Sequence, residues 1–463
     1  MKNMRPASPN ILVLISHDLG TYVGPYGHFQ TQTPHLTEFA RQGIRLDRHF
    51  VSSPGCSQSR SSLMTGRYPH ANGQLGLANW GWKLDESEIL LPQALQDHGY
   101  RTTLFGIWHL HEWTLRGFDT VSTDVSTLDY SAEGVAKEAS TRAANWLKNY
   151  PTDSQPFYLH VGFWEVHRPF CDHSEKEACD CEATIMQEPL PEYLPRTPES
   201  RKEMNRLGAS VAQVDAGVGA ILAALEESGH AENTIVLFTA DHGLPFQRAK
   251  GTLYDPGVHV AAIARWPGRI AAASSTAQLS SNVDMMPTLL EAAGIDPMPQ
   301  IQGSSLLSAW QGKRPSEHAR QAVFTEKSFH EHYDPIRSVR TDRFKYIRNF
   351  ADRPHLVLPS DVYNSPSRQS NTDDEAIWGP RPKEEFYDLQ SDPFERSNLI
   401  DCPDRRIEIQ EHQARLAAWM DSTADPLLEG PIRRPAPEQS GPVNGQRHPR
   451  RPRPKDASSL GFA

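Results

Sequence analysis

Asn10-Ile11-Leu12-Val13-Leu14-Ile15-Ser16-His17-Asp18-Leu19-Gly20 opens the ordered chemistry of this chain. Its first seven residues form an almost unbroken apolar run, too short for a buried helix and without polar alternation. That is the pattern of a parallel strand covered on both faces. The run gives way to His17 and Asp18, so polar side chains emerge at the strand's C-terminal end, where ligands sit in open α/β sheets.

The same pattern recurs outward from this stretch. Arg101 to Phe105 runs into Gly106-Ile107-Trp108-His109-Leu110, and Pro156 to Phe163 runs into Trp164-Glu165-Val166-His167-Arg168-Pro169-Phe170. Thr234 to Phe238 runs into Thr239-Ala240-Asp241-His242-Gly243. Helical patterns separate the strands: Thr33 to about Gly43, Leu91 to Gly99, Ala132 to Asn149, and Arg201 to Ser228 with Val211, Val214, Val218, Ile221 and Leu222 near one face. Arg45 to Val51 and Val258 to Trp266 read as further strands, and a helix follows from Val283. The predicted class is α/β, a large mostly parallel central sheet flanked by helices.

Beyond Gly303 the character changes. Val323 to Phe329, Ile336 to Arg340 and Arg343 to Arg348 read as strands of a smaller antiparallel sheet, with a helix from about Arg405 to Met420 packed on it. The expected organisation is a short tail at 1–9, a large domain at 10–315, an α+β subdomain at 316–430, and a disordered, basic, Pro-rich tail at 431–463.

The chain has 463 residues and a net charge of −10. Its last stretch, from Pro431, carries seven Lys and Arg against two acidic residues, so the rest is more acidic still, at −15. Such a body argues against coating nucleic acid, and an anionic substrate would need a local positive pocket. Met1 to Pro9 is short and polar, and Ile11 to Ile15 is only strand-length, so neither a signal peptide, a membrane span nor a membrane partner is expected, and the expected location is cytoplasmic. Of five cysteines, Cys56 and Cys402 stand alone, which is no secreted disulfide framework. Cys171, Cys179 and Cys181, with His173 nearby, could bind zinc, but they lack the usual paired spacing, so a flexible loop of reduced thiols is preferred.

The densest motif is Ser53-Pro54-Gly55-Cys56-Ser57-Gln58-Ser59-Arg60-Ser61-Ser62-Leu63-Met64-Thr65-Gly66-Arg67. A turn of small residues lifts one reactive side chain to a helix N-terminus, where free backbone N–H groups favour negative charge. It closely resembles the signature of the type I sulfatases, Cys-x-Pro-Ser-Arg followed by Leu/Met-Thr-Gly. The resemblance implies an alkaline-phosphatase-like fold whose larger domain is catalytic. It also implies that a formylglycine-generating enzyme oxidises Cys56 to formylglycine, whose hydrate is the nucleophile. Asp18, Asp241, His242 and position 56 would then hold one divalent metal, calcium by the family's habit, while Arg60, His109, His167 and Lys250 complete the catalytic set. Lys250-Gly251-Thr252-Leu253-Tyr254-Asp255-Pro256-Gly257 and Glu385-Phe386-Tyr387-Asp388-Leu389 resemble further family elements.

Ser328-Phe329-His330-Glu331-His332, followed by Pro335-Ile336-Arg337-Ser338-Val339, is most similar to the N-sulfoglucosamine sulfohydrolases, the heparan N-sulfatases. That makes His330, Glu331 and Arg337 candidates for contacting a sulfated sugar, though a loop between strands carries such polar residues equally well. Three positions depart from the pattern. Gln58 stands for proline, His17 for an aspartate ligand, and Ile107 for a lysine near the sulfate. Imidazole suits calcium poorly. These departures admit two alternatives: a non-catalytic binder of sulfated or phosphorylated ligands, and a phosphoesterase of the same superfamily.

Overall fold

In the strand Asn10–Ser16, Leu12 and Leu14 enter one hydrophobic core while Ile11, Val13 and Ile15 enter another, all at most 1% exposed. Successive side chains of a strand point to opposite faces, so an unbroken apolar run feeds two cores at once. The sequence expectation of a doubly covered strand holds. The computed structural model describes residues 8–28, 33–122, 135–170, 188–313, 319–371 and 378–434.

From edge to edge the eight-stranded sheet runs Thr120–Ser122, Arg101–Gly106, Phe157–Gly162, Asn10–Ser16, Thr234–Ala240, Ala262–Arg265, Ile44–Leu46 and Ser274–Thr276. All pairings are parallel except those made by Ala262–Arg265, which opposes both of its neighbours. Register Ile11 with Tyr158 and Ser16 with Ala240 aligns the C-terminal ends of the three central strands. His17, Asp241 and the segment leading to His167 therefore leave the sheet side by side.

Helices Val135–Asn149 and Pro198–Glu227 pack together over one face, and Leu91–Asp97 and Met285–Ala293 cover the other. The long helix starts three residues before the expected position. Thr197 caps it by accepting from the Ser200 N–H, and Pro198 occupies the first turn, where a missing N–H costs nothing. By length and composition alone this helix could cross a bilayer, but Val211, Val214, Val218 and Ile221 are fully buried in the core.

The second sheet has the order Val323–Phe329, Tyr333–Arg340, Phe344–Asn349, Glu384–Asp388, all antiparallel. Helix Arg406–Ser422 backs it, burying Leu416, Trp419 and Met420 against Val339, Tyr346 and Phe386. Its second strand begins three residues ahead of the expected Ile336, because a bulge between Lys327 and Phe329 lets Phe329 pair with Tyr333. The cysteine loop at 171–181, with His173, the boundary at 315/316 and all but the first four residues of the basic tail lie outside the described residues. Cys56 and Cys402 are unbridged.

Candidate active site

Cys56 is the first residue of helix Cys56–Thr65, capped by Gly55 and ended by Gly66 at φ 66°. All ten helical residues are buried although seven of them, all but Cys56, Leu63 and Met64, are polar or charged. Such a helix is tolerable only if its hydroxyls are partnered. Ser57 Oγ donates to the His109 carbonyl and accepts from the Ala78 N–H, and Asn282 Nδ2 donates to both the carbonyl and the hydroxyl of Ser59. Gln58, where the family motif has proline, donates from Nε2 to the Phe329 carbonyl at 2.6 Å, tying this helix to the second sheet. Gly55 makes room for it: a Cβ there would lie 2.7 Å from Gln58 Oε1.

Cys56 Sγ lies 3.1 Å from His242 Nε2. Burial opposes its ionisation, but His17, His242 and Lys250, with a hydrogen bond from His109, pull the thiol well below its ordinary pKa. His242 Nε2 is also 2.9 Å from Asp18 Oδ1, and its Nδ1 donates to the Gly243 carbonyl at 2.9 Å. His17 Nδ1 is 2.7 Å from Asp18 Oδ1 and 3.2 Å from Asp241 Oδ2. Asp18, held at φ 51°, donates its backbone N–H to Asp241 Oδ1 at 2.8 Å, and Arg60 Nε donates to Asp241 Oδ2 at 3.0 Å.

One donor atom from each of His17, Asp18, Cys56, Asp241 and His242 lies within 4.8 Å of every other, all fully buried. Burial should suppress charge on the imidazoles, yet Asp241, Cys56 and Asp18 carry His17 to a pKa of about 9, and Asp18 and Asp241 raise His242 well above its usual value. The carboxylates thus demand positive charge, and His17 Nε2 is buried without a hydrogen-bond partner. A divalent cation meets that demand for charge, with His17 Nδ1, rather than the unpartnered Nε2, facing the carboxylates. His17 belongs to it, although the family pattern reserves that position for an aspartate.

The Sulfatase family model matches residues 9–295, and the model of the N-sulphoglucosamine sulphohydrolase C-terminal region matches residues 241–379. The chain belongs to the sulfatase family. The human N-sulphoglucosamine sulphohydrolase is 28% identical over 91% of this chain and 92% of its own length. An ulvan-active sulfatase of Formosa agariphila is 29% identical over 91% of this chain and 76% of its own. A solved structure of a protein in complex with its substrate D-glucosamine-2-N,6-O-disulfate superposes with TM-score 0.69 at 22% identity, covering 90% of this chain and 98% of that one. At that identity the likeness speaks for the fold, which is alkaline-phosphatase-like as expected.

Around the five-donor cluster the sulfatase brings together most of the other expected residues. Lys250 is buried, its Nζ 2.8 Å from Asp18 Oδ2 and 2.8 Å from Asp361 Oδ2. Burial lowers its affinity for a proton, but Asp18 and Asp361 raise it well above the ordinary value, so it is a fixed cation. His109 sits at φ 60° against Cys56. The His167 ring is 4.7 Å from that of His17, and burial and Lys250 hold its pKa down at about 4. It is therefore a neutral imidazole. Ile107, buried, offers no cation where the family carries lysine.

Asp361 was not foreseen. It lies on the short helix Ser360–Tyr363, and Pro359-Ser360-Asp361 reads in sequence only as a helix start. The three residues expected to meet sugar fare differently. His330 is buried with its Nδ1 4.0 Å from Glu331 Oε1, and that oxygen accepts from both the N–H and the hydroxyl of Ser360. The expectation for Arg337 is corrected. It is 0% exposed, its guanidinium fork is spent on Asp425 at 2.5 and 3.0 Å, and its remaining N–H groups go to the Lys327 and Ile336 carbonyls and to Ser328 Oγ. A guanidinium so consumed has nothing left for a substrate.

Proposed function

We propose that this sulfatase hydrolyses the sulfate ester or sulfamate of a sulfated sugar resembling N-sulfoglucosamine. The observation that carries the reading is Cys56 at a helix N-terminus, 3.1 Å from His242 and inside a buried cluster with two carboxylates and two imidazoles. Conversion of Cys56 to formylglycine by a generating enzyme would place a hydrated aldehyde, an oxygen nucleophile, where Sγ now lies. A divalent cation held by His17, Asp18, Asp241 and His242 together with residue 56 would lower that nucleophile's pKa and polarise the sulfuryl oxygens.

The chain's own residues supply the rest. Arg60, one helical turn beyond residue 56 and braced by Asp241, adds a buried cation beside the carboxylates. Lys250 balances the charge on the transferring oxygens, because it is buried and remains protonated. His167, neutral and beside His17, can hand on a proton toward the leaving atom, and His109 hydrogen-bonds residue 56. The buried helix and the closed strand ends keep bulk water from the reacting atoms, which strengthens every one of these charges.

Sulfate release from N-sulfoglucosamine, an aryl sulfate and a phosphate diester tests the assignment. Turnover of at least one sulfur substrate at least about 100-fold above the diester is expected. Faster cleavage of the diester, or tight binding without sulfate release from protein whose Cys56 is converted, would sink it.

The metal carries its own prediction. Calcium is the ion the family implies, and two imidazoles among the donors weaken it relative to an all-oxygen set. His17→Asp is therefore expected to tighten calcium at least about tenfold, read by calorimetry on chelator-stripped protein and by metal content after dialysis. Equal calcium affinity in both forms would show that His17 does not bear on the ion.

A further inference from the structure

Asp361 comes to the site from the second half of the chain, and the catalytic roles above use it only as a counter-ion that keeps Lys250 protonated. Its Oδ2 lies 2.8 Å from Lys250 Nζ and 3.9 Å from His167 Nε2. Its side chain is 18% exposed, whereas Lys250 and Asp18 beside it are closed off at 1% and 0%. It therefore stands on the open side of the cluster. Burial alone would raise its pKa, but the Lys250 ammonium 2.8 Å away keeps it below the ordinary carboxylate value, so it carries a negative charge.

The placement is built. Glu331 Oε1 accepts from the Ser360 N–H at 3.0 Å and from the Ser360 hydroxyl at 2.6 Å, which fixes the first turn of Ser360–Tyr363. A carboxylate fixed beside the site of an anionic sulfuryl group repels the substrate. Lys250 balances that charge before the reaction, and a reaction that brings positive charge to the same point gives the carboxylate a second partner.

The two candidate reactions differ in this respect. Hydrolysis of a sulfamate breaks the S–N bond and leaves the bonding pair on nitrogen. The oxygen of the water consumed goes to sulfur, both its protons go to nitrogen, and the sugar departs as an ammonium ion with sulfate as the other product. Hydrolysis of a sulfate ester breaks the S–O bond. One proton then goes to the alcohol, the other is released to solvent, and the sugar departs neutral. Only the sulfamate gives a cationic leaving group.

We propose that Asp361 reads the leaving atom, favouring sulfamates over sulfate esters by ion-pairing the amine as it becomes ammonium, with Glu331 as the residue that positions it. This rests on the sulfatase reading of the site. It also gives His330-Glu331 a role in specificity through Ser360 and Asp361 rather than through direct contact with the sugar.

The test compares kcat/KM for N-sulfoglucosamine and for an O-sulfated N-acetylglucosamine in wild type, Asp361→Asn and Asp361→Glu, with Cys56 conversion verified in each. Asp361→Asn is expected to lose on the order of 30-fold on the sulfamate and less than about threefold on the ester, with Asp361→Glu recovering part of the loss. Glu331→Ala shifts the ratio the same way by a smaller factor. In wild type, glucosamine inhibits at least about tenfold more strongly than N-acetylglucosamine, which cannot carry the charge. Equal losses on both substrates would overturn the proposal and leave Asp361 as a brace for Lys250. Turnover of the ester alone by wild type would overturn it while the sulfatase reading stands. Turnover of neither would remove both. Should Asp361→Asn fail to fold, the inhibition comparison in wild type decides, and equal inhibition by the two sugars overturns the proposal.

Discussion

Cys56→Ala is expected to lower sulfate release by about 10⁴-fold or more, the scale on which a covalent nucleophile is lost. The physical ground is that residue 56 is the point where the other groups converge. His242 Nε2 reaches its Sγ at 3.1 Å, His109 bonds to it, and His17 and Lys250 draw its proton away. Alanine leaves those groups in place with nothing to act through. The fold should survive, because helix Cys56–Thr65 is held by Ser57, Gln58 and Ser59 rather than by the thiol. Unchanged thermal unfolding with activity gone is the expected pair of results. Mass spectrometry of the tryptic peptide 49–60 from the same wild-type preparation reports whether Cys56 is thiol or aldehyde, so that an inactive preparation is not mistaken for an inactive enzyme. Full activity in Cys56→Ala would mean the nucleophile lies elsewhere.

The α/β class was legible in Asn10–Ser16 because both faces of that strand are apolar, and apolar character survives in a one-dimensional record. The members of the buried donor cluster were legible as candidates where they sit at strand ends in a familiar motif, as Asp18, Asp241 and His242 do. His17 stood as a loss of one hard ligand, whereas its position puts Nδ1 within 2.7 Å of Asp18 and makes it part of the donor cluster. Asp361 was invisible for a different reason. It acquires its meaning from Lys250, 111 residues away, and nothing near it in sequence marks it. Gln58 shows that a departure from a motif can have a structural use, since proline could not donate to the Phe329 carbonyl. Single-site chemistry is written locally, but which buried charge faces which is decided by the tertiary fold.

Arg337 is the sharpest example, and it yields the largest stability prediction. Its side chain and that of Asp425, 88 residues away in sequence, are both 0% exposed, and Glu326 Oε2 lies 3.3 Å from the same guanidinium. Glu326 in turn accepts from the N–H of His70 and faces its ring at 2.8 Å, so the network joins the second sheet to the segment just beyond the Cys56 helix. Arg337→Met removes the cation but leaves two buried carboxylates. Breaking a buried pair by taking one partner costs about 3–5 kcal/mol, because the remaining charge has lost both water and its counter-ion. Asp425, which burial would push up but Arg337 holds below the usual carboxylate pKa, should then bind a proton at higher pH, so the variant is destabilised more at neutral than at acidic pH. The sign follows from the lowered folded-state pKa: its stabilisation is present above the unfolded value and is lost on acidification, and without Arg337 that contribution is absent at neutral pH. Denaturant unfolding at neutral and mildly acidic pH measures both effects. Adding Asp425→Leu should return part of the loss, since an apolar pair needs no counter-ion. A large rise in KM for N-sulfoglucosamine with unfolding unchanged would instead restore Arg337 to the sugar site, and its burial argues against that outcome.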